Sequence, residues 1–158
     1  MTGTISMTDE QAAAWTDFCR DTGHEGPPAF VGPFGDGPEL ANELLALILI
    51  DQKTATCSRA YWYQVEGHKL PEAGDKCLIL DGTGRPRCVI ETVSARIAPF
   101  SSGDADFARA EGEGDLSFDW WRAAHIDYFS REAERDGRTF DLDEDVVFEH
   151  FRRIWTAP

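Results

Sequence analysis

Lys53, Thr54, Thr56 and Ser58 crowd into the stretch DQKTATCS (residues 51–58), between the most apolar run of the chain and an aromatic cluster. A lysine placed where an apolar helix stops and a strand begins has its backbone held while its ammonium can enter a cleft. There it can grip a phosphate as a point charge or, once desolvated, take part in proton transfer. The competing use is a cation complementing a helix C-terminus. In an extended segment Thr54 and Thr56 share one face and Ala55 and Cys57 the other. A threonine hydroxyl needs a nearby base to act as a nucleophile, and threonine also simply favours strands. The two readings of Thr56 stand level.

Other residues add to this set. Glu111 and Glu113 lie in AEGEGD, where glycines let the backbone turn sharply; the competing reading is an exposed acidic loop. Glu91 shares a strand face with Val89 and Val93, so it should be partly buried and paired with a cation such as Lys53 or Arg87. Tyr61, Trp62 and Tyr63 cannot all enter a core, and Trp62 is the ring expected to stack on a base. Ser58 and Arg59 flank the same cleft, with Arg59 or Lys76 making it locally neutral or positive. Trp121, His125 and Phe129 recur at helical spacing, which marks core rings with a structural histidine between them. Asp104, Asp106, Glu111, Glu113 and Asp115 could hold a divalent metal if folded together, but nothing in their spacing demands it. No cofactor is expected.

The formal charge of −14 over 158 residues argues against tight, nonspecific binding to a phosphate backbone and favours a small ligand over a long RNA. The length suits one domain with a real core. The absence of a leader-like N-terminus and of a long apolar run implies a cytoplasmic protein without a membrane span. Four cysteines without a CxxC pair suggest buried thiols; Cys77 and Cys88 are near-symmetric about the turn DGTG and could face each other across a hairpin.

The elements that must position these residues follow from capping and periodicity. Thr8 caps a first helix that Gly23 stops. HEGPPAFVGPFGDG is a linker or ordered loop. Pro38 opens a second helix carrying Leu40, Leu44, Leu47 and Ile48. TATCS is a short strand. Residues 76–98 form a hairpin turning at Gly82 to Gly84. DADFARAEGEGD is a short helix ending in glycines. Ser117 caps a long helix that Gly137 stops, and EDVVFEHFRRIW is a closing strand. The order is α-α-β-β-β-α-α-β, an α+β domain.

FGDGPELANELLALILIDQKTATCS, LPEAGDKCLILDGTGRPRCVIET, FARAEGEGD and WWRAAHIDYFSRE together resemble the ASCH domain family over roughly residues 30 to 156. The resemblance implies a PUA-like β-barrel of about five to six strands flanked by helices, spanning 30–158 behind an N-terminal helix and linker at 1–29. It also implies a cleft beside the K-T-x-T segment that binds RNA, a nucleotide or a nucleoside. Two activities are known in the family, ribonuclease action and amide hydrolysis of N-acylated cytidine; a non-catalytic binding module uses the same cleft. Ribonuclease action is the expectation here. The resemblance makes Lys53, Thr56 and Glu113 catalytic, with Thr56 matching the proposed nucleophile and Glu113 the proton acceptor of the amide-hydrolysing members. Ser130 lies near the functional hydroxyl of the nuclease-like members. Thr54, Ser58, Arg59, Trp62 and Glu91 complete the set as substrate-binding residues. Asp51 stands where the family has a glycine, close enough in sequence to pair with Lys53.

Overall fold

The computed structural model describes residues 5–158. Its helices are α1 (Asp9–Thr22), α2 (Pro38–Leu49), α3 (Ala60–Glu66), α4 (Ala105–Glu111) and α5 (Phe118–Arg135). Its strands are β1 (Phe30–Gly32), β2 (Ala55–Arg59), β3 (Lys76–Leu80), β4 (Pro86–Pro99) and β5 (Asp145–Thr156). The caps form as expected: the Thr8 hydroxyl accepts from the Gln11 N–H, and Pro38 opens α2 behind Gly37. The strands form one sheet in the order β1-β3-β4-β5-β2. Only β1–β3 is parallel. The sheet curls into a half-barrel with helices around it, which is the α+β PUA-like fold. No helix of the described residues is long and apolar enough to cross a membrane.

Three apolar clusters hold the helices. Leu45 and Ile48 of α2 pack on Ile79, Ile90 and Phe151, and Trp15 and Phe18 of α1 pack on Leu78, Leu80 and Val89. Phe107 of α4 and Trp121 and Phe129 of α5 pack on Val146 and Phe148. Burying each such side chain stabilises the fold by about 1.5–3 kcal/mol, so α4 and α5 are fixed against β2 and β5.

Several expectations need correction. The presumed linker contains β1, which three residues of parallel pairing attach to β3. The aromatic run 61–63 forms α3, because Arg59 ends β2 and the chain turns helical until Gly67 takes a left-handed conformation. The last strand does not close an edge but lies between β4 and β2. The hairpin does turn at Asp81–Arg85, where the Asp81 carboxylate accepts from the Thr83 and Arg85 N–H groups. Its register sets Cys77 opposite Ile90 and Cys88 opposite Ile79, so the two thiols do not face each other and both are free.

Candidate active site

The lysine is held by its neighbours before its side chain does anything. After α2 the chain turns through Asp51 at φ 61, and the Lys53 N–H donates to the Leu47 carbonyl. Thr54 uses both its N–H and its hydroxyl to donate to the Ala110 carbonyl, and its own carbonyl accepts from the Phe151 N–H. On the other side Gly112 presses so close that an added Cβ would lie 2.3 Å from the Gln52 carbonyl oxygen, and its φ of 71° also favours glycine. Gln52 Nε2 donates to the Gly112 carbonyl at 2.7 Å. The glycine-rich turn is therefore latched edge-on to residues 52–54. Asp51 does not pair with Lys53; its carboxylate takes the Arg153 guanidinium, at 3.2 Å and 3.0 Å.

Lys53 Nζ has three donors and three acceptors: the Ala55 carbonyl at 2.9 Å, Glu111 Oε1 at 2.9 Å and Glu113 Oε2 at 2.7 Å. Glu111 is no exposed loop residue. It ends α4 with a side chain 1% exposed, and its Oε2 accepts from Trp121 Nε1 at 2.6 Å and meets His125 Nε2 at 3.0 Å. His125 Nδ1 lies 2.8 Å from the Trp121 carbonyl. That oxygen can only accept, and an ionised Glu111 can only accept, so both ring nitrogens carry protons and His125 is an imidazolium. Burial works against its charge, but the Glu111 carboxylate outweighs burial and raises the pKa. Burial likewise opposes the Lys53 ammonium, and Glu111 and Glu113 reverse that and raise it. Glu111, despite burial, is held far below the usual carboxylate range by Lys53 and His125. Glu113 moves the other way: burial and then the repulsion of Glu111 raise it against the pull of Lys53.

The two acids thus have separate roles. Glu111 is an ionised anchor with both oxygens engaged. Glu113, whose side chain is 16% exposed, is the carboxylate able to gain and lose a proton. Glu111, Glu113 and His125 also bring ligand atoms within 4.8 Å of one another. A divalent metal there would have to displace the Lys53 ammonium and take a proton from His125, so the cluster already holds its own cation. The remaining acids of the expected cluster lie elsewhere: Asp104 caps α4, Asp106 pairs with Arg109, and Asp115 accepts from the Ser117 N–H.

A cavity of about 710 Å³ opens inside the half-barrel, lined among others by Lys53, Thr56, Ser58, Trp62, Glu113 and His125. Trp62 sits on α3, stacked on His68 with ring centroids 5.0 Å apart. Arg59 also reaches the cavity, but its guanidinium is fully buried and meets Glu144 at 2.6 Å and Glu132 and Asp136 at 3.5 Å each. It is a structural cation. Lys76 pairs with Glu91 at 3.1 Å, and Arg152 also holds Glu91, at 2.6 Å, so neither Lys53 nor Arg87 is the partner. Acidic side chains outnumber lysines and arginines around the cavity, which corrects the expectation of a neutral or positive cleft. Thr54 is spent on the Ala110 carbonyl, and Ser130, Thr54 and Glu91 are not among the lining residues. Ser130 lies on α5 next to Phe129, which fills the core and lines the cavity.

Sequence reasoning missed Glu149. It lines the cavity from β5, 7% exposed. An acid in phase with Val147 and Phe151 was the available signal, the same one that singled out Glu91.

The family model for the ASCH domain matches residues 30–154. An ASCH domain crystal structure from Lactobacillus crispatus is 32% identical, with a TM-score of 0.86 over 94% of this chain and 96% of that one. A crystal structure of a protein from Enterococcus faecalis is 31% identical, with a TM-score of 0.83 over 93% and 89%. No curated protein matches the chain.

Proposed function

The chain belongs to the ASCH domain family, and from that premise we propose that it hydrolyses the amide bond of a small, uncharged N-acylated nucleoside such as an N-acylcytidine. The observation that carries this reading is that the Lys53–Glu111–Glu113 cluster and Thr56 line one cavity with an acidic wall. The fold is often linked to RNA binding. An acidic wall repels a polyanion, and no free surface cation remains at Lys53 to grip a phosphate. These points set ribonuclease action behind amide hydrolysis.

In this mechanism the Thr56 hydroxyl attacks the acyl carbon and Glu113 takes its proton. Lys53 stays charged throughout, so it is not the base. Its ammonium fixes Glu113 and supplies positive charge next to the developing oxyanion. Glu111 and His125 hold that ammonium in place. The carbon–nitrogen bond breaks as the tetrahedral adduct collapses, and the amine leaves with a proton drawn from within the cavity. Water then hydrolyses the acyl-threonine ester to the carboxylic acid and replaces that proton, and Glu113 returns its own to the threonine oxygen. The test is release of cytidine from N-acetylcytidine, followed chromatographically, for the wild type, Thr56→Ser and Thr56→Ala. The wild type and the serine variant should turn over and the alanine variant should lose at least about 10²-fold. Equal rates in all three would remove Thr56 from the mechanism. A wild type that binds the nucleoside without turnover would make the protein a binding module.

A further inference from the structure

Glu149 stands directly opposite Thr56 in the antiparallel β2–β5 ladder. Opposed residues of such a ladder share a face, with Cβ atoms about 4.5–5.5 Å apart, and both line the cavity. Glu149 Oε2 accepts the Thr92 hydroxyl at 2.7 Å. Among the described residues no salt bridge reaches this carboxyl, and Oε1 has no hydrogen-bond partner although no buried polar atom is left unsatisfied. Oε1 therefore opens onto the cavity. A buried carboxyl with no paired cation binds its proton more tightly than a free one. Burial is the main cause that raises its pKa; Thr92 lowers it, Asp75 raises it and Lys69 lowers it. Tyr63 of α3 and Cys77 of β3 also face it, both with raised pKa values. With Oε2 accepting from Thr92, Oε1 is the oxygen left free to carry a proton toward the cavity.

We propose that Glu149 is the general acid of the amide cleavage, giving its Oε1 proton to the leaving group of an acylated heteroaromatic amine. This rests on the hydrolytic reading above. The attacking oxygen and the acid then approach one amide from neighbouring strands, the acyl carbon at Thr56 and the leaving nitrogen side at Glu149. The Thr56 oxygen–carbon bond forms first, giving the tetrahedral oxyanion, and the carbon–nitrogen bond breaks as that adduct collapses. The threonine proton passes to Glu113, and the Glu149 proton passes to the ring nitrogen onto which the leaving electron pair is delocalised. The amine departs neutral. In the second half water adds to the acyl carbon, Glu113 returns its proton to the Thr56 oxygen, and the proton released by water restores Glu149. The products are one carboxylic acid and one amine. Trp62, Tyr63 and Phe30 line the same cavity, which suits a flat ring as the leaving group.

The experiment compares Glu149→Gln with the wild type on two substrates, N-acetylcytidine and p-nitrophenyl acetate, whose leaving group needs no proton. Glutamine keeps the shape and still accepts from Thr92 but cannot donate a proton of comparable acidity. The expected result is a kcat loss of about 10²-fold on the amide, less than about fivefold on the ester, and disappearance of the alkaline limb of the wild-type pH–rate profile. Thr92→Val provides a second check, since losing its hydrogen bond should move that limb to higher pH. Equal losses on both substrates, or an unmoved alkaline limb in both variants, would overturn the assignment while leaving the Thr56 mechanism standing. No turnover by the wild type would overturn both.

Discussion

Lys53 and Glu111 are 58 residues apart in sequence and meet at 2.9 Å with both side chains 1% exposed. Sealed charges of this kind are costly to separate, because the survivor is left without water or partner. The pair ties the turn after α2 to the end of α4, so the site and the fold share this contact.

Lys53→Met should destabilise the protein by about 3–5 kcal/mol, the usual result of removing one partner of a buried pair. Urea denaturation at pH 7 measures it. Thr56→Ala should stay within about 0.5 kcal/mol of the wild type by the same measurement. A Lys53→Met variant as stable as the wild type would show that the contact contributes nothing.

Phosphate on the substrate should weaken it. One unfavourable charge contact at about 4 Å in water is worth about 1 kcal/mol, or about fivefold. Comparison of kcat/KM for N-acetylcytidine and its 5′-monophosphate should show that penalty, shrinking as salt is added. A preference for the monophosphate would return the cavity to nucleotide or RNA recognition.

Gly112→Ala should loosen the latch on residues 52–54. The new methyl would lie 2.3 Å from the Gln52 carbonyl oxygen at a φ of 71°, and alanine at such a φ costs about 1 kcal/mol before any clash is counted. Thermal denaturation and amide turnover should fall together. Gly67→Ala, with nothing within 4 Å of its added Cβ, should lose stability without comparable loss of turnover.

Stability should depend on pH with opposite signs from different groups. His125 and Glu149 have raised pKa values. Their contributions are complete below the unfolded values, about 6.5 and about 4.3, and are lost as pH rises through the folded ones. Glu111 is depressed, so its contribution is present above about 4.3 and lost as pH falls. Tm measured from pH 3.5 to 9 should fall on both sides of a maximum between about 4.5 and 6.5. Glu149→Gln should show a shallower alkaline decline than the wild type. Identical slopes would mean that Glu149 is not held protonated by the fold.

Much of the architecture was legible because it is local. Thr8, Ser117 and the DGTG turn each mark a boundary through hydrogen bonds within a few residues, and Pro38 marks one through its fixed φ and missing N–H. The lysine and threonine also stood out, being polar residues at the end of an apolar helix. What could not be read was which acids meet them. Glu111 looked like a loop residue because its burial comes from Trp121 and His125 on another helix. Arg59 looked like a surface cation because its three carboxylates lie 73 to 85 residues away in sequence. The helix under Trp62 went unread because α3 has no side-chain N-cap and no apolar periodicity strong enough to announce it.

β5 lies between β4 and β2, and β2 has no other strand neighbour. During synthesis, therefore, Thr56 belongs to a strand without a sheet until the chain has been made as far as residues 145–156. Long-range pairing of this kind forms slowly. Until then the segment that carries Thr56, the proposed nucleophile, is an unpaired strand rich in hydroxyls, and the pairing that sets Thr56 opposite Glu149 waits for the last strand to arrive. Pulse-labelled hydrogen exchange should find the β2 amides gaining protection in the same phase as those of β5. Protection of β2 ahead of β5 would show that another element shelters it first.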